Sequence, residues 1–278
     1  MINNYQELVQ RWAAELRQYS TEEAENLVNW LLEHHLGLRR VDMMHFWDEE
    51  HLPEALKLDF EKLKAGEPIQ YILGKGPFYG REFLVNEHTL IPRNETEELV
   101  HLIIKENPQS GLKILDIGTG TGCIPISLDL EMKSPEIYGI DISEKALEVA
   151  RNNGELLKTN VSFLKCDILN GMPQVPELDI LVSNPPYVPE AEKFEMHRNV
   201  LDFEPVLALF VPDQDPLLFY RVIGEKGKQL LKPGGKLYFE IHEKFGSEVA
   251  ELLTSLGYQD VKLVRDLNGK ERIASAIN

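Results

Sequence analysis

The tetrapeptide Asn184-Pro185-Pro186-Tyr187 sets a polar amide, two prolines and an aromatic at the end of an apolar run, Leu178-Asp179-Ile180-Leu181-Val182. The run reads as a buried strand. Proline donates no backbone hydrogen bond and fixes φ, so the chain must leave a sheet there in a rigid, extended turn. Open α/β folds hold their ligands at the carboxyl ends of sheet strands. Pro-Pro by itself would only stop a strand; three upstream segments make more of it. Asp116-Ile117-Gly118-Thr119-Gly120-Thr121-Gly122 joins one apolar run to a helix. Its glycines permit positive φ and close approach of the backbone to a ligand. Such a loop alone is a weak signal, equally a tight turn with good helix–strand packing. Asp141 ends the next strand, where an acid can accept hydrogen bonds from both hydroxyls of a ribose. Its plain alternative is a helix-capping Asp. Asp167 follows a third strand, placed to meet an adenine amino group, with Ile168 against the ring. Each feature is common by itself; four in order at successive strand ends describe a pocket for a nucleoside-like ligand.

The elements that would position these residues are legible as periodicity. From Asn94 the chain alternates helix and strand, the pattern of a parallel sheet. Asn94-Glu95-Thr96-Glu97-Glu98 opens a helix with a cap and acids. Strands follow at 113–117, 136–141, 161–165 and 178–182, and a helix at about 217–231 ends in the turn Lys232-Pro233-Gly234-Gly235. The fifth strand is 236–241, the next helix 245–256, and Val261–Val264 with Arg272–Ala276 flank an Asn268-Gly269 turn as an antiparallel hairpin. Before this domain, residues 1–65 read as a small helical bundle. Tyr5, Leu8, Trp12 and Leu16 recur at helical spacing, Ser20 with Glu23 forms a capping box, Gly37 is a stop, and Pro53 begins a further helix. His34, His35, His45 and His51 are scattered here as packing or surface residues, and no metal site is expected. Residues 66–92 are interrupted by Gly66, Pro68, Gly74, Gly76, Pro77, Gly80 and Pro92, which break any helix. We read them as a linker forming a β-hairpin, with arms at 77–85 and 88–91.

Bulk properties narrow the class. The 278 residues are 43% hydrophobic and 27% charged, as in soluble globular proteins. A net charge of −17 supplies no electrostatic footprint for nucleic acid and suits a protein or small-molecule partner. Cys123 and Cys166 have no ligand spacing, which fits a reducing compartment. No basic–apolar leader and no apolar run of membrane-spanning length is evident, so a cytoplasmic protein is expected.

Taken together, the glycine loop, Asp141 and Asn184-Pro185-Pro186-Tyr187 resemble those of class I S-adenosylmethionine-dependent methyltransferases. More closely, the chain resembles the release factor glutamine methyltransferases, the PrmC/HemK family. That resemblance rests on Gly66-Glu67-Pro68-Ile69-Gln70-Tyr71-Ile72-Leu73-Gly74, on Phe78-Tyr79-Gly80 with Phe83, and on Ile91-Pro92-Arg93 followed by Glu95-Thr96-Glu97. Asn94 departs from it, standing where the family usually has a second proline. The resemblance implies an α/β fold: a Rossmann-like seven-stranded sheet with its last strand antiparallel, spanning 93–278, behind a 1–65 helical domain that docks the substrate. It implies S-adenosylmethionine as cofactor, held by Gly118, Thr119, Gly120, Thr121, Gly122, Asp141, Asp167, Ile168 and Asn184. It implies release factors as partners, with the glutamine of their Gly-Gly-Gln motif as substrate, and a monomer needing neither membrane nor direct nucleic-acid binding.

The chemistry agrees with the residues. An amide nitrogen is a poor nucleophile because its lone pair is delocalised into the carbonyl. The Asn184 side-chain oxygen and the Pro185 carbonyl can each take one N–H, the prolines keep that geometry fixed, and Tyr187 can pack on the amide plane. No catalytic histidine is needed, and His242 reads as structural. Whether Arg93, Glu95 and Thr96 touch the cofactor or brace the glycine loop stays open. The alternative is an adenine-type DNA or RNA methyltransferase, whose exocyclic amino group poses the same problem but requires base extrusion and a basic, aromatic surface. A non-catalytic module that has kept the fold is a third reading, disfavoured by Asn184 and Asp141 being present.

Overall fold

The computed structural model describes residues 5–43 and 52–278, so His45 and His51 lie outside the described residues. The chain divides into two compact units, one made of residues up to Lys75 with His197–Phe203, the other of Gly76–Met196 with Glu204–Asn278.

The first unit is helical: α1 (Tyr5–Ala13), α2 (Thr21–Leu36), α3 (Arg40–Met43), α4 (Glu54–Lys64) and α5 (Ile69–Leu73), with the short helix Arg198–Phe203 (α9 in chain order). Its core brings Leu8 and Trp12 from α1 against Val28, Leu31 and Leu32 from α2 and Leu56 and Phe60 from α4. Trp12 and Phe60 stack with ring centroids 4.2 Å apart, an arrangement that adds to plain area burial. Ser20 caps α2 by accepting the Glu23 N–H at 3.3 Å, and Gly37 ends it at φ 63°. The helix α5 departs from expectation. Pro68 and Gly74, helix breakers by residue type, bound a five-residue helix, because proline fits just before a first turn and glycine takes the left-handed position just after a last one.

The second unit opens with a hairpin, β1 (Lys75–Phe78) and β2 (Arg81–Leu84), turning at Tyr79-Gly80. Its arms therefore lie earlier and are shorter than expected, and 88–91 pairs with no strand. The rest alternates: α6 (Asn94–Glu106), β3 (Lys113–Ile117), α7 (Cys123–Glu131), β4 (Glu136–Asp141), α8 (Glu144–Leu157), β5 (Ser162–Lys165), β6 (Leu178–Ser183), the short β7 (Val188–Pro189), a 3-10 turn at Glu190–Glu195, α10 (Val206–Leu209), β8 (Phe210–Val211), α11 (Leu218–Leu230), β9 (Leu231–Glu240), α12 (Gly246–Ser255), β10 (Gln259–Arg265) and β11 (Glu271–Ile277). The short pieces between Val188 and Val211 carry no sustained periodicity, and sequence reading assigned no element there.

Seven strands form one sheet in the order β10-β11-β9-β6-β3-β4-β5. Pairing is parallel from β9 through β5, while β11 runs antiparallel to both neighbours. This is the expected sheet. Apart from Lys113 at its start and Asp116 near its end, the interior strand β3 is apolar, and both its faces are covered by packed side chains. The order reverses at β3: the chain builds β3, β4 and β5 outward, then returns to lay β6 on the other side. That reversal opens a crevice at the carboxyl ends of β3 and β6. The turn at 232–235 sits inside β9 as a bulge, because the ladder with β6 passes from Leu178–Leu231 directly to Ile180–Lys236. Among the described residues no helix is long and apolar enough to cross a membrane.

Candidate functional site

A cavity of about 260 Å³ lies at that crevice. Its floor comes from strand ends and the turns that follow them: Ile117, Gly118 and Gly120 after β3, Ile140, Asp141 and Ile142 after β4, Asp167 and Ile168 after β5, and Ser183, Asn184, Pro185 and Pro186 after β6. Glu87–Leu90 and Pro205, Leu207 and Ala208 complete the wall, with Phe219 and Ile223 of α11 behind.

The backbone supplies the geometry. Gly118 and Gly120 take φ of 76° and 53°, left-handed values that a side chain would strain. Gly120 donates its N–H to Asp141 Oδ2 at 2.9 Å, and Ser143 donates to Asp141 Oδ1 at 2.9 Å. These two bonds fix the Asp141 carboxylate beside the glycine loop and leave lone pairs on both oxygens. Burial raises the Asp141 carboxyl above its usual range, against these hydrogen bonds. Asp167 is partly exposed, and its carboxyl is held lower by the Asn170 side chain, which donates to Oδ2 at 2.7 Å. Lys226 binds the carbonyls of Ile168 and Gly171 and so fastens the loop that carries Asp167 and Ile168.

Not every residue singled out in the sequence reaches the cavity. Thr119, Thr121 and Gly122 do not line it; both threonines are buried in the loop's inner side. A Cβ on Gly122 would lie 3.1 Å from Ile126 and Phe163 and 3.2 Å from Ala150, so this glycine serves the packing of α7 on α8 and β5. Tyr187 also stands off the cavity. Its hydroxyl donates to Glu240 Oε1 at 3.1 Å, and its ring meets His242 edge-on, 5.9 Å between centroids. A buried phenol seeks an acceptor, and here that need turns the residue inward. His242 is packed between Tyr187 and Phe245 and pairs with Glu192, and burial lowers its pKa.

Sequence reasoning missed a buried network behind Asn184. The Asn184 Nδ2 donates to Thr96 Oγ1 at 3.2 Å, and Thr96 donates to Glu240 Oε2 at 2.6 Å. Thr96 therefore braces the turn that carries Asn184 and not the glycine loop. Glu240 is 1% exposed, and burial raises its carboxyl while Thr96, Tyr187 and Arg272 hold it down. The available signal was an acid within the apolar strand Leu237-Tyr238-Phe239-Glu240-Ile241. Arg93 pairs instead with Glu204 at 2.5 Å, and Glu204 also accepts the Ile91 N–H at 3.1 Å. That clamp joins the 87–90 wall to the 205–208 wall. The α6 helix starts at Asn94 with Arg93 as its flanking residue, so Asn94 is the first helical residue and not the cap. Proline is favoured at that first position, where the N–H has no helical partner.

The cavity suits S-adenosylmethionine. Its lining carries the acids Glu87, Asp141 and Asp167 and no lysine or arginine, which fits a ligand bearing positive charge. Acceptors at Asp141 match ribose hydroxyls, and Ile142, Ile168 and Leu169 give flat apolar walls for a purine. Below the loop, Asp116 is wholly buried, with neither carboxylate oxygen in a hydrogen bond. The Thr119 hydroxyl is near but out of hydrogen-bonding geometry, and burial pushes the Asp116 carboxyl up to about 7. Among the described residues no group of three or more His, Cys, Asp or Glu is arranged to hold a metal ion.

Comparison with known proteins agrees with this architecture. A methyltransferase-domain family model matches residues 108–268, and a PrmC N-terminal domain model matches residues 7–74. The release factor glutamine methyltransferase of Bacteroides thetaiotaomicron is 52% identical over 77% of both chains. That of Flavobacterium psychrophilum is 43% identical over 98% of both. Among solved structures, a methyltransferase from Pyrococcus furiosus shares the fold with a TM-score of 0.53 at 19% identity, over 80% of this chain and 96% of that one. With relatives of this identity aligned over nearly its whole length, the chain belongs to the release factor glutamine methyltransferase family.

Proposed function

We propose that the protein transfers a methyl group from S-adenosylmethionine to the side-chain amide nitrogen of the glutamine in the Gly-Gly-Gln motif of peptide-chain release factors. The observation that carries this reading is one cavity lined both by the glycine loop with Asp141, Asp167 and Ile168 and by Asn184, Pro185 and Pro186. S-adenosylmethionine, when bound, supplies a methyl group already activated on a sulfonium. The chain's own task is to bind, orient and polarise the acceptor. Gly118 and Gly120 let the backbone approach the cofactor, with Thr119, Thr121 and Gly122 shaping the loop behind them. Asp141 accepts from the ribose, Asp167 meets the adenine amino group, and Ile168 packs on the ring.

On the substrate side, the Asn184 Oδ1 and the Pro185 carbonyl each accept one N–H of the glutamine amide. Two acceptors at fixed positions draw the nitrogen away from planarity, freeing its lone pair for attack. Pro185 and Pro186 hold the carbonyl, so little reorganisation accompanies the reaction. Tyr187 acts from behind the turn, bracing it through Glu240. The N-terminal helices dock the release factor, and the protein works in the cytoplasm as a monomer, without membrane attachment.

The purified protein is to be incubated with radiolabelled S-adenosylmethionine and a release factor. Label should enter the wild-type factor and not its Gly-Gly-Gln Gln→Ala variant. Equal labelling of the two, or transfer to DNA or RNA only, would overturn the reading.

A further inference from the structure

An amide side chain has nearly the same outline either way round, and only its hydrogen-bond partners decide which end faces a ligand. For Asn184 that choice is decisive. With Oδ1 toward the cavity it accepts an N–H; with Nδ2 there it confronts the substrate's amino group donor to donor. We propose that Thr96 and Glu240 are positioning residues that set the amide of Asn184 with its oxygen toward the substrate. This rests on the reading of Asn184 as an acceptor for the glutamine nitrogen.

The polarity of the network follows from counting protons. Glu240 as a carboxylate has none to give, so both hydroxyls that reach it must donate: Thr96 at 2.6 Å on Oε2 and Tyr187 at 3.1 Å on Oε1. The single proton of Thr96 is thereby committed. Its lone pair is left for Asn184, whose Nδ2 donates at 3.2 Å. Thr96 and Glu240 are 3% and 1% exposed, so solvent is poorly placed to substitute for either partner. Reversing the Asn184 amide would set its oxygen against the Thr96 oxygen, leaving a buried polar group unsatisfied. Such a penalty biases the orientation roughly tenfold to hundredfold. The chain reaches across the sequence: Thr96 stands on the first turn of α6, Glu240 ends β9, and Asn184 follows β6.

Thr96→Val keeps the shape of the side chain and removes the lone pair, while Thr96→Ser keeps the hydroxyl. For Thr96→Val we expect kcat to fall about tenfold to hundredfold, comparable to losing an outer partner of a metal-site ligand. Its KM for release factor and its calorimetric Kd for S-adenosylmethionine should stay within about twofold, and Thr96→Ser should recover kcat to within about threefold. Glu240→Gln should also lose kcat, because its amide can donate to Thr96 and so reverse the network. In side-chain nitrogen-15 spectra the Asn184 NH2 pair, identified by its loss in Asn184→Ala, should exchange with solvent faster in Thr96→Val than in wild type. That last measurement needs no turnover. A wild-type protein that fails to methylate release factors would therefore sink the functional reading and still leave the orientation testable. Wild-type kcat in Thr96→Val, equal impairment of Val and Ser variants, or unchanged Asn184 amide exchange would overturn the positioning role.

Discussion

Asp116 is the penultimate residue of β3, with no hydrogen bond to either oxygen, and its carboxyl is raised by burial to about 7. Removing a charge from water without a partner is costly, so the folded protein holds the proton that the unfolded chain has released. Between an unfolded value of 3.8 and about 7, stability must therefore fall as pH rises, and it flattens above that range. The whole interval corresponds to on the order of 4 kcal/mol. Asp116→Asn removes this titration while preserving shape. Relative to wild type, the variant should gain about 2–3 kcal/mol between pH 5 and pH 8. Denaturant unfolding at the two pH values checks it, and a wild-type-minus-variant difference that does not move with pH would contradict it. Cys123 beside it is raised by the same burial, to about 12, and is consequently no thiolate nucleophile at neutral pH.

At the scale of elements, one buried side chain ties β2 to α8 and the glycine loop, beside the Tyr79–Glu97 and Arg81–Glu131 contacts that fasten the hairpin to α6 and α7. Asn153 on α8 is 0% exposed. It accepts the Leu84 N–H at 2.7 Å and donates to the Leu84 carbonyl at 3.0 Å and the Thr121 carbonyl at 2.9 Å. One amide thus satisfies an edge of β2 and the glycine loop together. Asn153→Ala strands the buried Thr121 carbonyl and leaves the partly buried N–H and carbonyl of Leu84 to solvent, and should lower unfolding free energy by about 1–3 kcal/mol. A loss below about 0.5 kcal/mol in chemical denaturation would show that the hairpin is held by its other contacts. Periodicity made the repeating strands and helices legible, because each alternation of burial leaves a mark on the sequence. Asn153 and Glu204 left no such mark, and Glu240 left only an acid inside an apolar run, with no sign of what it binds. Their partners lie 69, 113 and 144 residues away, and nothing local distinguishes a buried clamp from a surface polar residue. The same reason explains why the Asn184 turn was found while the network aligning it was not. The early hairpin is obscured for a different reason: Tyr79 adopts φ 48° beside Gly80, a turn for which the sequence offers a glycine but no Asn or Asp signal.

For the whole molecule, charge separates the two chemically similar readings. A protein-glutamine and an exocyclic-amino methyltransferase need the same acceptors around a nitrogen, so Asn184 and Pro185 alone do not tell them apart. The long-range field does. A chain of net charge −17 repels a polyanion, and the cavity carries Glu87, Asp141 and Asp167 without lysine or arginine. An enzyme that held nucleic acid through 6–10 phosphates would lose about 10³–10⁵ in affinity between 50 and 200 mM salt. Here the cavity lining offers that counterion term no lysine or arginine to arise from. Raising salt across the same range should change kcat/KM for release factor by less than about tenfold, since exposed charges at a protein interface are partly screened over about 10 Å. An excess of duplex DNA or unstructured RNA should not inhibit methylation. Steady-state kinetics at four salt concentrations, with and without nucleic-acid competitor, measures both effects. A steep fall with salt together with competitive inhibition by nucleic acid would move the substrate from a protein amide to a base, whatever the local geometry at Asn184.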